Sequence, residues 1–329
     1  MKMNLKNKKL NIIFQLLILV AVFALGLLIN SDNLFCNSNN HKHINPDIIC
    51  ESNHAIKKYS YIKTRNDIED YILKKKQEEI VTDVSIYFRD LQNGPTMGIK
   101  EHELFSPASL LKIPLLLTYH NLANEDNNGL LDRNITITNS QDALVQIVTP
   151  KDYAKQGNTY SIRQLLEFTI MYSDNNSYYT LLDYLNQVSP KRDLLKDTFV
   201  DLGIIDPKDY LDNTISVKSY GSIFVQLYHS SYFNKKEISE EALSLLSRVD
   251  YKEGLVAGIP RGIEVAHKFG ERSNPVTGLD QLHDCGIIYY PRNPYLLCIM
   301  TRGSDFTKLP EVISYISRMV YEEVDSRKL

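Results

Sequence analysis

Three short groups of residues in this chain carry side chains suited to nucleophilic chemistry. In Phe105-Ser106-Pro107-Ala108-Ser109-Leu110-Leu111-Lys112-Ile113-Pro114, a serine and a lysine stand three apart at the start of an apolar run. On a helix that spacing places both side chains on one face. A lysine there takes the proton of the serine hydroxyl once burial or neighbouring cations lower its pKa from about 10.4 toward neutrality, at about 1.36 kcal/mol per unit. The free amides of a helix N-terminus can also face a developing oxyanion. The second group, Ser173-Asp174-Asn175, follows the helical run Ser161 to Tyr172; read blandly, Ser173 only caps the next helix. The third, His267-Lys268-Phe269-Gly270-Glu271, puts a lysine and a glycine at the exit of a strand. Each group alone is weak.

The elements that must position these groups follow from periodicity. Residues Arg65 to Gln77 show helical spacing through Ile68, Tyr71 and Ile72, and Thr82 to Leu91 alternates through Val84, Ile86 and Phe88, a strand that ends at the turn Gln92-Asn93-Gly94-Pro95. Between Ser109 and about His229 the pattern is mostly helical: Leu110 to His120, Ser161 to Tyr172, Ser177 to Leu185 and Ser216 to Tyr228. Strands are then expected at Glu264 to Phe269, Gln281 to Tyr290 and Tyr295 to Thr301, and a last helix from Leu309 to about Val324. Strands at both ends with helices between them predict an α+β fold. Its antiparallel sheet is built from both chain ends and flanked by helices, with an all-helical part inserted.

Ahead of this domain, Lys2, Lys6, Lys8 and Lys9 precede an apolar run from Ile12 to Ile29. At 1.5 Å per residue the run covers roughly 27 Å, close to the thickness of a bilayer core. The lysines place the amino terminus in the cytoplasm. The expected organisation is a cytoplasmic tip and membrane anchor or signal over residues 1–30, a polar stalk over 31–62, and a domain over 63–329 on the extracytoplasmic side of the cell membrane. Cleavage near Ala24 and lipid attachment at Cys36 are the alternatives to an uncleaved single-pass anchor.

Composition narrows the function. The chain has 329 residues, 43% hydrophobic and 23% charged, enough for a full core without staples. A net charge of −3 with scattered basic residues excludes a nucleic-acid partner. Cys285 and Cys298 read as buried strand residues, and Cys36 and Cys50 as candidates for pairing in an oxidising compartment. His41, His43 and His54 lie in the stalk without metal-ligand spacing and read as solvated, so no metal or cofactor is expected. Ser60-Tyr61-Ile62-Lys63 repeats the serine–lysine spacing with no apolar helix behind it and reads as chance. Lys74-Lys75-Lys76 reads as a solvated helix face.

Taken in order, Ser109-x-x-Lys112, Ser173-Asp174-Asn175 and Lys268-x-Gly270 resemble the motif set of class A β-lactamases and penicillin-binding proteins. They stand 64 and then 95 residues apart, which resembles class A spacing. His283-Asp284-Cys285-Gly286-Ile287-Ile288 and the final helix are also similar to that family, so the likeness runs from about residue 63 to the end. The resemblance implies a β-lactamase/transpeptidase-like fold in which Ser109 is the acylated nucleophile, Lys112 its proton partner, and Ser173 the group that passes a proton to the leaving nitrogen. It implies that Asn175, Lys268, Gly270 and Glu271 bind substrate. Asn175 would hold a side-chain amide, Lys268 would raise the positive potential for a carboxylate, and the amides of Ser109 and Glu271 would form the oxyanion hole. The implied partner is a small-molecule β-lactam or a cell-wall peptide, turned over by a monomer.

Two departures stand out. The family's Lys-Thr/Ser-Gly is here Lys268-Phe269-Gly270, without the hydroxyl whose charged hydrogen bond to a substrate carboxylate contributes about 1.5–3 kcal/mol. The family's Ω-loop glutamate, which activates the hydrolytic water, has no counterpart in Leu202 to Asn213; an ungapped count puts Asp209 and Asn213 at the family's glutamate and asparagine. Asp206, Asp209 and Asp212 also suit solvent-facing turns. Three functions remain open: a β-lactamase-type hydrolase, a D-alanyl-D-alanine peptidase, and a penicillin-binding or sensing domain that does not turn over.

Overall fold

A computed structural model of the chain describes residues 41–46, 60–92, 94–125, 129–138, 146–204 and 214–327. The chain divides into two compact units, Met1–Lys42 with Pro46–Ser52, and His43–Asn45 with Asn53–Leu329. The second unit holds the sheet and the helices around it. The apolar run Ile12 to Ile29, Cys36, Cys50 and His54 lie outside the described residues. Among those described, no helix is long and apolar enough to cross a membrane.

The second unit opens with helix α1 (Ile62–Gln77) and strands β1 (Asp83–Asp90) and β2 (Thr96–Ile99). It closes with β7 (Val265–Asn274), β8 (Leu279–Ile288), β9 (Tyr295–Gly303) and helix α8 (Leu309–Ser326). These strands form one antiparallel sheet in the order β2-β1-β9-β8-β7, so the first and last strands of the chain meet at β1 and β9. The sheet made from both chain ends is thus present as expected. The alternation that predicts β1 does not carry over into its burial: Val84, Ile86 and Phe88 are buried, but so are Ser85 and Tyr87, because both faces of the sheet are covered. Cys285 and Cys298 sit directly opposite one another on β8 and β9, fully buried, and form a disulfide.

Between the two halves of the sheet lie α2 (Lys112–Glu125), α3 (Ile162–Met171), α4 (Asn175–Val188), α5 (Leu194–Asp201), α6 (Val217–Tyr228) and α7 (Lys236–Ser247), with four short strands, β3 (Leu104–Phe105), β4 (Asn134–Thr136), β5 (Thr159–Ser161) and β6 (Ile215–Ser216), that pair as β3 with β6 and β4 with β5. In α2 every residue from Lys112 to His120 is buried, as fits a helix that is apolar around most of its circumference. Its Pro114 falls in the first turn, where no intrahelical N–H is lost. Helix α6 covers the sheet face that carries Tyr87, Leu296 and Cys298. A Cβ at Gly221 would come within 3.0 Å of the Tyr87 ring and 3.4 Å of Cys298 Sγ, so the glycine keeps this close approach of helix to sheet uncrowded. Strand β2 completes the hairpin expected at the Gln92-Asn93-Gly94-Pro95 turn, whereas helices α5 and α7 are not expected from periodicity.

Helix α1 begins at Ile62, three residues ahead of its expected start, but it buries only Thr64, Ile68 and Ile72, and Lys63 in its first turn points to solvent and bonds to Asp67 at 2.6 Å. One expectation needs correction. His43 is not solvated. It is 5% exposed, its Nδ1 lies 2.6 Å from Glu240 Oε1 on α7, and its Nε2 lies 3.0 Å from Glu264 Oε1 just before β7. The amides of His43 and Ile44 donate to Glu240 Oε2, and the Tyr289 hydroxyl donates to the His43 carbonyl. Burial lowers the affinity of the imidazole for a proton, but the two carboxylates outweigh it and raise the pKa above 6.5. The stabilisation is therefore complete below about 6.5 and fades as pH rises through the raised value. Thermal unfolding of the His43→Ala variant should show a deficit in Tm relative to wild type that is larger at pH 6 than at pH 9; an equal deficit at both would contradict a charged His43.

Candidate active site

Ser109 lies in a 3₁₀ turn, Ala108–Leu111, that runs directly into α2. Ala108, just before it, has φ +49°, a left-handed conformation that costs a non-glycine residue about 1–2 kcal/mol. The turn aims the Ser109 side chain along the helix toward Lys112, as the three-residue spacing predicts, and Lys112 Nζ lies 3.0 Å from Ser109 Oγ.

The second group arrives through a helix joint. Helix α3 starts with a capping box, in which Ser161 Oγ accepts from the Gln164 amide and Gln164 Oε1 from the Ser161 amide. It ends at Met171, and Ser173 then takes φ +57° where glycine is usual. Ser173 is not the helix cap that its position suggests: Asp174 caps α4, its carboxylate accepting from the amides of Asn176 and Ser177. Ser173 is thereby released to turn inward, 1% exposed. Lys112 Nζ donates to its carbonyl oxygen at 2.6 Å and to Asn175 Oδ1 at 2.8 Å, and stands 3.1 Å from Ser173 Oγ.

The third group comes from β7, an edge strand. Lys268 is fully buried, and its Nζ donates to Ser173 Oγ and to the Phe269 carbonyl, both at 2.9 Å. A Cβ at Gly270 would sit 3.0 Å from the Pro107 carbonyl oxygen and 3.1 Å from the Leu110 amide nitrogen. The missing side chain is what allows β7 to close on the Ser109 turn, the approach an oxyanion hole between the Ser109 and Glu271 amides requires. All seven residues singled out in the sequence, Ser109, Lys112, Ser173, Asn175, Lys268, Gly270 and Glu271, thus converge on one site.

Burial dominates the electrostatics. It drives the Lys112 pKa down from 10.5 to about 7, with the Asp174 and Glu271 carboxylates pulling the other way. Lys268 is lowered well below its ordinary value, by burial first and by the nearby Lys112 second. As a neutral amine, Lys112 has two N–H groups for the Ser173 carbonyl and Asn175 Oδ1 and one lone pair for the Ser109 proton, so its close partners match a base. Glu271 is raised, chiefly by burial, against the pull of the Val148 and Ile147 amides and the two lysines.

Several contacts have no signal in the sequence. Gln146 Nε2 donates to the Ser173 carbonyl at 3.0 Å, and the Val148 amide to Glu271 Oε2 at 2.7 Å. Tyr251 stacks on Phe269 at 4.2 Å between ring centroids, and the Tyr178 ring lies 5.7 Å from Lys112 Nζ. Motif matching assigns a role only to the amide of Glu271, although an acidic side chain beside Lys268-x-Gly270 is itself visible in the sequence. The segment expected to carry the hydrolytic carboxylate, with Asp206, Asp209, Asp212 and Asn213, lies outside the described residues.

Because Lys112 accepts a proton only once it has lost its own, labelling of Ser109 by a neutral serine-directed phosphonate should rise with pH through about 7 and then level. Second-order labelling rates between pH 5 and 10 check this, and a rise centred near 10 would show an ordinary charged lysine.

A family model described as "Beta-lactamase enzyme family" matches residues 63–324. A search of curated proteins finds no match. Among solved structures, PBP-A is similar at 21% identity and a TM-score of 0.65, over 80% of this chain and 96% of that one. A class A beta-lactamase from Mycobacterium abscessus is similar at 19% identity and 0.63, over 78% and 99%. The TLA-1 extended-spectrum beta-lactamase is similar at 16% identity and 0.66, over 81% and 99%. At these identities the structures speak for the fold, and the match of the family model, which spans most of the chain, shows that this protein belongs to the beta-lactamase enzyme family.

Proposed function

We propose that this protein is a serine hydrolase that opens amides of the β-lactam type through an acyl-enzyme on Ser109. The observation that carries the reading is the buried Lys112 amine, 3.0 Å from Ser109 Oγ and 3.1 Å from Ser173 Oγ. Ser109 Oγ attacks the amide carbonyl while its proton passes to Lys112, and the carbonyl oxygen takes up the developing charge beside the Ser109 and Glu271 amides. Collapse breaks the C–N bond, and the proton returns through Ser173 Oγ to the leaving nitrogen. Lys268, donating to the same hydroxyl, orients it for that transfer. Asn175 holds Lys112 through Oδ1, which leaves its amide N–H groups for a substrate carbonyl. The domain is proposed to act as a monomer on the extracytoplasmic side, tethered by the Ile12 to Ile29 run.

A second reading, a D-alanyl-D-alanine peptidase of the cell wall, is favoured by one observation: Leu202 to Asn213 contains no glutamate to activate water. A general base contributes roughly 10²- to 10⁴-fold to such a step. Without one, the acyl-enzyme on Ser109 would persist. A related solved structure, a mutant of PBP-A at 21% identity and a TM-score of 0.64, is described as an acyl-enzyme complex with penicillin G.

The test is to mix the full-length protein with a chromogenic β-lactam while intact-mass spectrometry follows the adduct. A Ser109 adduct that is lost in Ser109→Ala, and that forms roughly 10²- to 10⁴-fold more slowly in Lys112→Met, is expected. Steady turnover would establish hydrolysis, and a stoichiometric burst with a lasting adduct would move the assignment to the peptidase or to a sensor. An adduct that survives Ser109→Ala would overturn the site.

A further inference from the structure

Beside Lys268, on the strand to which the resemblance gives a substrate carboxylate, this chain carries an acidic side chain. The resemblance implies a patch that attracts a substrate carboxylate, built on a lysine and a hydroxyl. Here the hydroxyl position is Phe269, 3% exposed and held by stacking on Tyr251. Two residues along the same strand, on the same side of it, stands Glu271. The resemblance gives its amide to the oxyanion hole, and its carboxylate lies close enough to act electrostatically on both Lys112 and Lys268. Oε2 is fixed by the Val148 amide at 2.7 Å, and Oε1 is buried with no hydrogen-bond partner among the described residues. A buried carboxylate oxygen of this kind is satisfied by an N–H donor and destabilised by a second carboxylate.

We propose that Glu271, backed by Phe269, is a specificity-determining residue that turns this site away from acyl donors whose leaving group ends in a carboxylate and toward those that present an amide or amine N–H there. The inference rests on the proposed acyl-enzyme at Ser109 and names its substrate class: amides or esters internal to a longer chain, or with an amidated or amine-bearing end. Rejection by an unpaired like charge and acceptance by a vacant hydrogen-bond site act together, as selective sites commonly require. One consequence concerns β-lactams themselves. Those bearing a free carboxylate next to the ring nitrogen acylate Ser109 more slowly than their neutral carboxamides.

The experiment compares two thioesters with the same N-acylglycyl group, one leaving as mercaptoacetate and the other as mercaptoacetamide, on the full-length protein. The wild type should show a kcat/KM at least about ten-fold higher for the amide-ended ester. Glu271→Gln keeps an acceptor for the Val148 amide and removes the charge, and it should shrink that ratio to within about three-fold by raising the carboxylate-ended value. Phe269→Thr, which restores a hydroxyl, should move the ratio the same way without touching the Glu271–Val148 bond. Acylation of Ser109 by both esters with no preference in the wild type, or with a preference that Glu271→Gln leaves unchanged, overturns the selectivity and leaves the acyl-enzyme standing. Failure of both esters to acylate Ser109 overturns both.

Discussion

The site depends on keeping one lysine uncharged. Lys112 is buried, and an ammonium in that position would have to give up its hydration for a handful of neutral acceptors. Its neutral form needs two acceptors and one proton to receive, and the structure supplies these from separated stretches of chain: Ser173 and Asn175 accept, and Ser109 lies in front of the lone pair. Every larger feature can be traced to that requirement. The central helix α2 must be apolar enough to bury its own first turn, the joint between α3 and α4 must turn Ser173 inward, and β7 must come close enough for Lys268 to reach the same hydroxyl.

These demands are met with strained or crowded backbone at the points of contact. Ala108 and Ser173 both adopt positive φ without being glycine, Ala108 beside the proposed nucleophile and Ser173 at the proposed proton relay. At Ser173 a glycine would relax the backbone but remove the hydroxyl shared by two lysines. At Gly270 the opposite choice is made: a side chain there would crowd the Pro107 carbonyl and the Leu110 amide of the Ser109 turn. The frame that holds this strain is stiff, with five strands in continuous antiparallel register, both faces covered, and Cys285 and Cys298 joined across its centre. Since β7 is an edge strand, its free side is available to the site and is not used up in pairing.

Much of this is legible in the sequence because the relevant spacings are local. A serine and lysine one helical turn apart meet by geometry, and the alternation in β1 together with the strand segments at β8 and β9 is enough to predict a sheet built from both chain ends. Features that arise only when distant segments meet are not legible. Glu271 and Val148 are 123 residues apart, and His43 and Glu240 are 197 apart, so neither pairing leaves a pattern. The disulfide depends on the β8–β9 register, which the turn between the strands decides. Helix α7 escapes sequence reasoning for a different reason. Its N-cap, Lys235, makes no side-chain capping bond, so no start signal precedes its apolar face of Ala242, Leu243, Leu245 and Leu246. The capping rule that suggests a structural role for Ser173 places the cap one residue early, since Asp174 caps better and does so here.

All of this chemistry requires Lys112 to be a neutral amine near physiological pH. The most direct test is the titration of the side-chain nitrogen itself, followed by NMR in protein labelled with ¹⁵N at the lysine ζ position and assigned by a Lys112→Arg comparison. A midpoint near 7 is expected. A Lys112 resonance that stays that of an ammonium up to pH 10 would contradict the account, because a permanently charged lysine has no lone pair to offer Ser109.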